Sequence, residues 1–177
     1  MAGESVVVGE NEGGGKRYRE RFGRYFEDFE VGATYEHRPG RTITETENTW
    51  FTLLTMNQHP IHFDAEYAKH TEFGKPLVVS TLTLSMLVGM SVSDTSQKAI
   101  ANLGWDKISM PNPVFAGDTL YGESTVLDKR ESKSRPDQGI VTIKTTGRNQ
   151  RGEVVCEFER TMLVMRRGNP LEEKAGY

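Results

Sequence analysis

Apolar and polar positions fall into three regimes along the chain. Over residues 1–23 no period holds, because Gly3, Gly9 and Gly13-Gly14-Gly15 interrupt it and Lys16-Arg17-Tyr18-Arg19-Glu20-Arg21 is a charged run with one aromatic. This stretch reads as a flexible lead whose basic arm is either solvated or set against a partner. From Tyr25-Phe26 the pattern organises. Residues 33–37 alternate as a strand, Pro39-Gly40 turns into 41–44, and the hydroxyls of Thr44 and Thr46 offer caps for a short helix carrying Trp50, Phe51, Leu53 and Leu54. The segment 56–60 ends that helix, since a proline disfavours the α region in the residue before it. Asp64 then caps a small helix through Tyr67 and Ala68.

The third regime begins with the strongest helical stretch, residues 80–92. Leu82, Leu84, Met86, Leu87, Val88 and Met90 are apolar on nearly every side, and such a helix is expected to be buried. Four segments with partial period-2 alternation follow, at 103–110, 119–127, 140–146 and 154–165, separated by turns at Gly117-Asp118, Pro136-Asp137 and Arg151-Gly152. One buried helix followed by antiparallel strands is α+β, not α/β. A curved sheet wrapped around one long helix satisfies it most simply. The expected organisation is a flexible segment 1–23, one domain over 24–167 and a tail over 168–177.

The bulk properties narrow the function. A chain of 177 residues fits one domain and buries enough surface to need no staple. The single cysteine, Cys156, excludes an intrachain disulfide, and its place in an apolar alternation makes it a core side chain. The formal charge of −3, with 22 basic and 25 acidic residues interspersed, gives no nucleic-acid footprint. No apolar run approaches a membrane span, and the first residues lack the basic-then-apolar layout of a secretory signal, so a cytoplasmic location is expected. His59 and His62 stand three apart across a proline, but no third ligand accompanies them, and no metal is expected.

The stretch that carries chemistry is Thr55-Met56-Asn57-Gln58-His59-Pro60-Ile61-His62-Phe63-Asp64, leading to Gly74-Lys75-Pro76-Leu77-Val78-Val79-Ser80. It resembles the signature of the MaoC-like (R)-specific enoyl-CoA hydratases, Gly-Asp-x-Asn-Pro-(Leu/Ile)-His followed by Pro-Ile-x-His-Gly-Met at the start of a central helix. Pro60, Ile61 and His62 match, and the interval to Pro76 is kept without a gap. Asn112-Pro113-Val114-Phe115-Ala116-Gly117-Asp118-Thr119-Leu120 is similar to the family's Pro-Val-Phe-x-Gly-Asp-x-Leu turn. The resemblance covers residues 24–167 and implies a single hot-dog fold. It also implies water addition or removal at the C2–C3 double bond of an enoyl-CoA, a homodimer or higher homo-oligomer with sites near the interface, and no cofactor beyond the CoA of the substrate.

Three positions depart from the pattern. Asn57 stands where the family has its catalytic aspartate, His59 where it has asparagine, and Val79-Ser80 where it has His-Gly. An asparagine cannot take a proton, so the reaction has to be built differently. Hydration needs a base for water, a donor for the developing enolate and an acid for C2. Imidazole, with an ordinary pKa of about 6.5, suits a base near neutrality. The resemblance therefore implies His62 as the catalytic base, and Asn57 is expected to orient the water through its carbonyl or its amide N–H. The thioester oxygen is expected against the first N–H groups of the central helix, at Ser80 and Thr81, which lack intrahelical acceptors.

The resemblance also implies a CoA contact, and the loop carrying Arg130, Lys133 and Arg135 supplies suitable phosphate donors or is a solvated hairpin tip. Arg41 and Lys75, with the changes at 57 and 59, are similar to members acting on short branched dicarboxylic thioesters such as mesaconyl-, itaconyl- or methylglutaconyl-CoA. A hot-dog thioesterase and a silent acyl-CoA-binding subunit are the other readings these residues leave open.

Overall fold

The computed structural model describes residues 4–176. Five antiparallel strands form the main sheet: β3 (Thr34–Thr42), β4 (Ala99–Ser109), β5 (Thr119–Glu131), β6 (Gln138–Arg148) and β7 (Val154–Met165), in the order β3-β5-β6-β7-β4. Helix α3 (Ser80–Met90) lies across it and continues as a π-turn over Val92–Ser96. Two shorter helices precede it, α1 (Glu45–Leu54) and α2 (Ala65–Ala68), with a 3-10 turn at Pro60–His62 between them. This is the expected hot-dog arrangement, an antiparallel sheet bent about one helix.

Close approach of helix to sheet is achieved by removing side chains. Gly122 and Gly147 are partners across β5 and β6, and Leu87 of α3 sits over them. A Cβ on Gly147 would lie 2.3 Å from a Leu87 methyl, so any larger residue there lifts the helix off the sheet. Leu87, Leu82, Ile43, Leu120, Val155 and Phe158 form the core between them. Cys156 is buried in the same cluster, and burial pushes its thiol up to about 11, which suits a packing residue and not a nucleophile.

Four expectations are corrected. The stretch read as a flexible lead forms a hairpin of β1 (Glu4–Glu10) and β2 (Lys16–Arg21), separate from the main sheet. The glycines that broke its period serve the turn: Asn11 Oδ1 accepts the N–H groups of Gly13 (3.0 Å) and Gly15 (2.8 Å). The tail includes a short helix, α4 (Leu171–Ala175). Finally, α3 is not buried on every side. Leu82, Thr83 and Leu87 are enclosed, whereas Ser80, Thr81, Ser85 and Gly89 are exposed, because the sheet of one chain covers only one flank. The strand and turn expected at 33–44 are instead one strand, β3, whose pairing slips between His37 and Arg41.

Candidate active site

Helix α1 starts at a capping box in which the Thr44 hydroxyl accepts the Glu47 N–H and Glu47 takes the Thr44 N–H. The next residue, Asn48, is almost fully buried and spends its whole amide on the backbone. Its Nδ2 donates to the carbonyls of His62 (2.8 Å) and Leu77 (3.2 Å), and its Oδ1 accepts the Val79 N–H (2.9 Å). One side chain thus clamps the His62 turn to the start of α3. Sequence reading passed over Asn48, since an asparagine among charged and hydroxyl residues on a helix reads as surface. Its one visible signal was its place one turn after the Thr44 cap.

His62 is fixed from the same side. Its Nδ1 lies 2.9 Å from the Leu77 carbonyl, which can only accept, so Nδ1 carries the proton and Nε2 presents a lone pair. That is the tautomer a base requires. The turn that delivers it is built by its neighbours: Asn57 Oδ1 accepts the His59 N–H (3.0 Å), and His59 Nδ1 accepts the Ile61 N–H (3.2 Å), with Pro60 starting the 3-10 turn. The His59 ring packs edge-on against both His62 and Tyr67, at 5.9 and 6.2 Å between centroids. With its carbonyl engaged by the turn, Asn57 has its NH₂ to offer; that group has no acceptor among the described residues.

The positive end of α3 is open. Val79 gives its N–H to Asn48, and the N–H groups of Leu82 and Thr83 turn back to the Val79 carbonyl, which leaves Ser80 and Thr81 N–H without acceptors among the described residues. Leu77 bridges to Phe115, and the turn after it is anchored by Asp118, whose carboxylate accepts the Phe115 N–H at 2.9 Å. Burial alone would raise the Asp118 carboxyl, but hydrogen bonds from Gln150, Phe115 N–H and Arg151 hold it below the ordinary carboxylate range. A cavity of about 240 Å³ opens beside this point, between Ser80, Leu77, Phe73 and the 110–114 segment.

His62, His59, Asn57, Ser80 and Thr81 therefore belong to elements clamped together by Asn48 and Leu77. The other expected residues are placed differently. Arg41 is paired with Glu47 and lines a separate groove of about 480 Å³ with Leu82 and Met86. Lys75 stands 4.2 Å above the Phe115 ring and has no ion-pair partner among the described residues. Arg130, Lys133 and Arg135 lie around the β5–β6 turn, whereas the site adjoins the start of β5. Twelve steps of extended chain separate the two ends of that strand, about 40 Å, so one chain does not bring its loop to its own His62. Among the described residues no group of three metal-ligating side chains gathers.

Known proteins resemble this chain in sequence and fold. A family model described as mesaconyl-CoA hydratase matches residues 16–177. The mesaconyl-CoA hydratase of Cereibacter sphaeroides is 34% identical over 145 residues, covering 82% of this chain and 42% of that protein. Thus the chain spans less than half the length of this curated relative. Among solved structures, a MaoC domain protein of Chloroflexus aurantiacus superposes with a TM-score of 0.78 at 34% identity, over 82% of this chain and 41% of that one. A monoamine oxidase regulatory protein from Archaeoglobus superposes at 0.72 with 35% identity, over 82% of this chain and 97% of its own. By its fold, its Pro60-Ile61-His62 turn and these likenesses, the chain belongs to the mesaconyl-CoA hydratase family of MaoC-like hot-dog proteins.

Proposed function

We propose that this protein adds water to, or removes it from, the C2–C3 double bond of a short branched enoyl-CoA, with His62 as its base. The observation that carries the reading is the 2.9 Å bond from His62 Nδ1 to the Leu77 carbonyl, which leaves Nε2 free to take a proton. In the hydration direction, His62 Nε2 takes a proton from water as the oxygen attacks C3. The developing enolate oxygen sits against the N–H groups of Ser80 and Thr81 at the positive end of α3. The His62 imidazolium then returns the proton to C2, so one water is added and the enzyme is restored. The Asn57 NH₂ donates to the attacking oxygen and orients it; it takes no proton. Neither a metal nor a cofactor enters these steps.

A thioesterase would need a carboxylate free to act at the thioester carbonyl. Glu47 and Asp64, the acids flanking the site in sequence, are both engaged as helix caps, which favours hydration. The test is product mass after mixing the protein with mesaconyl-CoA and crotonyl-CoA. A gain of one water is expected from the wild type. His62→Gln should lose roughly 10²–10⁴-fold in rate. Free CoA as the product, or an undiminished rate in folded His62→Gln, refutes the assignment.

The same reading takes the chain as a cytoplasmic homodimer joined along β4. That strand ends the sheet and exposes Leu103, Trp105 and Ile108, whereas the opposite edge, β3, is guarded by Glu36, Arg38, Arg41 and its slipped register. The chain aligns with 42% of the longer Cereibacter relative, whose remainder has the length of a second domain of similar size, a place that a second copy can fill here. Two β4 strands paired antiparallel about a two-fold axis reverse end for end. The 131–138 loop of one copy then faces the His62 end of the other, where Arg130, Lys133 and Arg135 can bind CoA phosphates.

A further inference from the structure

We propose that the β1–β2 hairpin is an arm that seats on helix α1 of a second copy of this chain, with Val7 and Tyr18 against Trp50, Leu53 and Leu54. The inference rests on the β4 dimer proposed above. It adds a contact between the arm of one copy and the helix that leads into the catalytic turn of the other.

The hairpin finds little cover in its own chain. Its root is fixed, since the Gly23 N–H donates to the Ser93 carbonyl at 2.8 Å and Arg19 donates to the Gly176 carbonyl. Ahead of Arg19, the hydrogen bonds among the described residues stay within the hairpin itself. A hairpin of two strands is at best marginally stable in water and needs an apolar surface to lie on. Val7 and Tyr18 are partners across the two strands and so project from one face. They are 55% and 62% exposed.

Helix α1 presents a surface of the same kind. Asn48 and Thr52 are its buried side. Trp50, Leu53 and Leu54 stand on the opposite side within one turn of each other, 67%, 59% and 78% exposed. A surface helix ordinarily keeps its outer face polar, so this stripe of large apolar side chains marks a docking surface. Exposed Met56 extends it with a backbone φ of 57°, unusual for a residue with a side chain.

Three observations favour a second copy as the occupant. The first is position. Asn48 ties α1 to the start of α3, whereas the hairpin is rooted at Ser93, just past the end of α3. Strand β4 runs the same way, from Ala99 near the root to Ser109, beside the Met110 that lines the 240 Å³ cavity with Ser80. Antiparallel pairing of two β4 strands sets the Ala99 end of one copy against the Ser109 end of the other, and the two-fold axis makes the contact twice. The second is length. The six residues of β2 span about 20 Å, enough to cover the ten residues of α1, about 15 Å. The third is charge. Strand β2 carries Lys16, Arg17, Arg19 and Arg21 against one carboxylate, while α1 carries Glu45 and Glu47 and no cation. Glu10 and Glu12 stand on β1 and the turn, so charge also selects β2 as the strand laid nearer to α1. An arm seated there steadies the segment that runs through Met56 into Asn57 and His62 of the partner.

The experiment replaces Tyr18 with photoreactive benzoylphenylalanine in a mixture of heavy-isotope and ordinary full-length protein. Irradiation should join position 18 to the 45–56 peptide in pairs of mixed isotope, the mark of a contact between copies. Leu54→Asp, a change at an exposed position, should abolish that product and raise the dimer dissociation constant about 10–100-fold. Cross-links confined to one isotope, cross-links to another segment, or none in protein that is dimeric by native mass overturn the arm and leave the β4 dimer standing. An unchanged dissociation constant for Leu54→Asp does the same. Protein that is monomeric at the assay concentration overturns the dimer and the arm together, and the product-mass assay then judges hydration independently of both.

Discussion

At residue 57 an amide occupies the place of the family's carboxylate, and the turn around it decides what that exchange does. Asn57 Oδ1 accepts the His59 N–H, a bond a carboxylate can also make, so Asn57→Asp should fold normally. The new acid would supply a second acceptor for water beside His62. Activity on crotonyl-CoA is expected to hold or rise, and activity on mesaconyl-CoA to fall through repulsion between like charges. Steady-state kinetics on the two thioesters check this; a collapse on both at an unchanged Tm would contradict it. The Pro60–His62 turn was legible in the sequence because Pro60, Ile61 and the interval to Pro76 mark it together. Asn48 was not, because its importance lies in what three backbone groups offer it. That information belongs to tertiary packing and leaves no mark on local pattern.

At the scale of elements, the site is a joint between α1, the Pro60–His62 turn and α3, closed by one amide. Asn48→Asp is close to isosteric and tests that joint. One carboxylate oxygen still accepts the Val79 N–H, while the other is forced against the His62 and Leu77 carbonyls that the Asn48 Nδ2 now satisfies. A cost of about 2–4 kcal/mol is expected, a drop in Tm of roughly 5–15 °C for a chain of this size, with the hydration rate falling as well. A Tm within a degree of wild type would show that Asn48 does not hold the joint. Elements that can be read locally were read well: α3 begins at Ser80 and β7 spans Val154–Met165, as the periodicity indicated. β4 was placed late because Ala99–Asn102 lacks strict alternation, and its pairing with β7 slips three times. The β1–β2 hairpin was missed because its turn is made by the very glycines that interrupt the period.

For the whole molecule, the separation of the 131–138 loop from His62 turns a binding question into one of subunits. If the loop serves the partner's site, neutralising Arg130, Lys133 and Arg135 should raise KM with little change in kcat. Mixing that variant with His62→Gln should then recover low-KM activity, because hybrid dimers contain one site with both an intact base and an intact loop. Kinetics of the co-refolded mixture against each variant alone reads this directly. No recovery, with hybrids present by mass, would place the loop's action within its own chain or remove it from CoA binding. Sequence pattern supplied the loop's chemistry and could not supply its position, since a hairpin tip has the same composition at either end of a sheet.

Both described ends of the chain meet at the end of the sheet away from His62. Glu172 of α4 holds Tyr25 and Lys98, Arg166 reaches Glu27 at 3.0 Å, and Arg19 of the hairpin donates to the Gly176 carbonyl at 3.1 Å. Added sequence at either end would therefore emerge beside the 131–138 loop and away from the Pro60–His62 turn of its own chain. Gene fusion is then a cheap evolutionary step for such a fold: two copies can be tied into one polypeptide, and one copy can lose its histidine while keeping its basic loop, without disturbing the chemistry in the other.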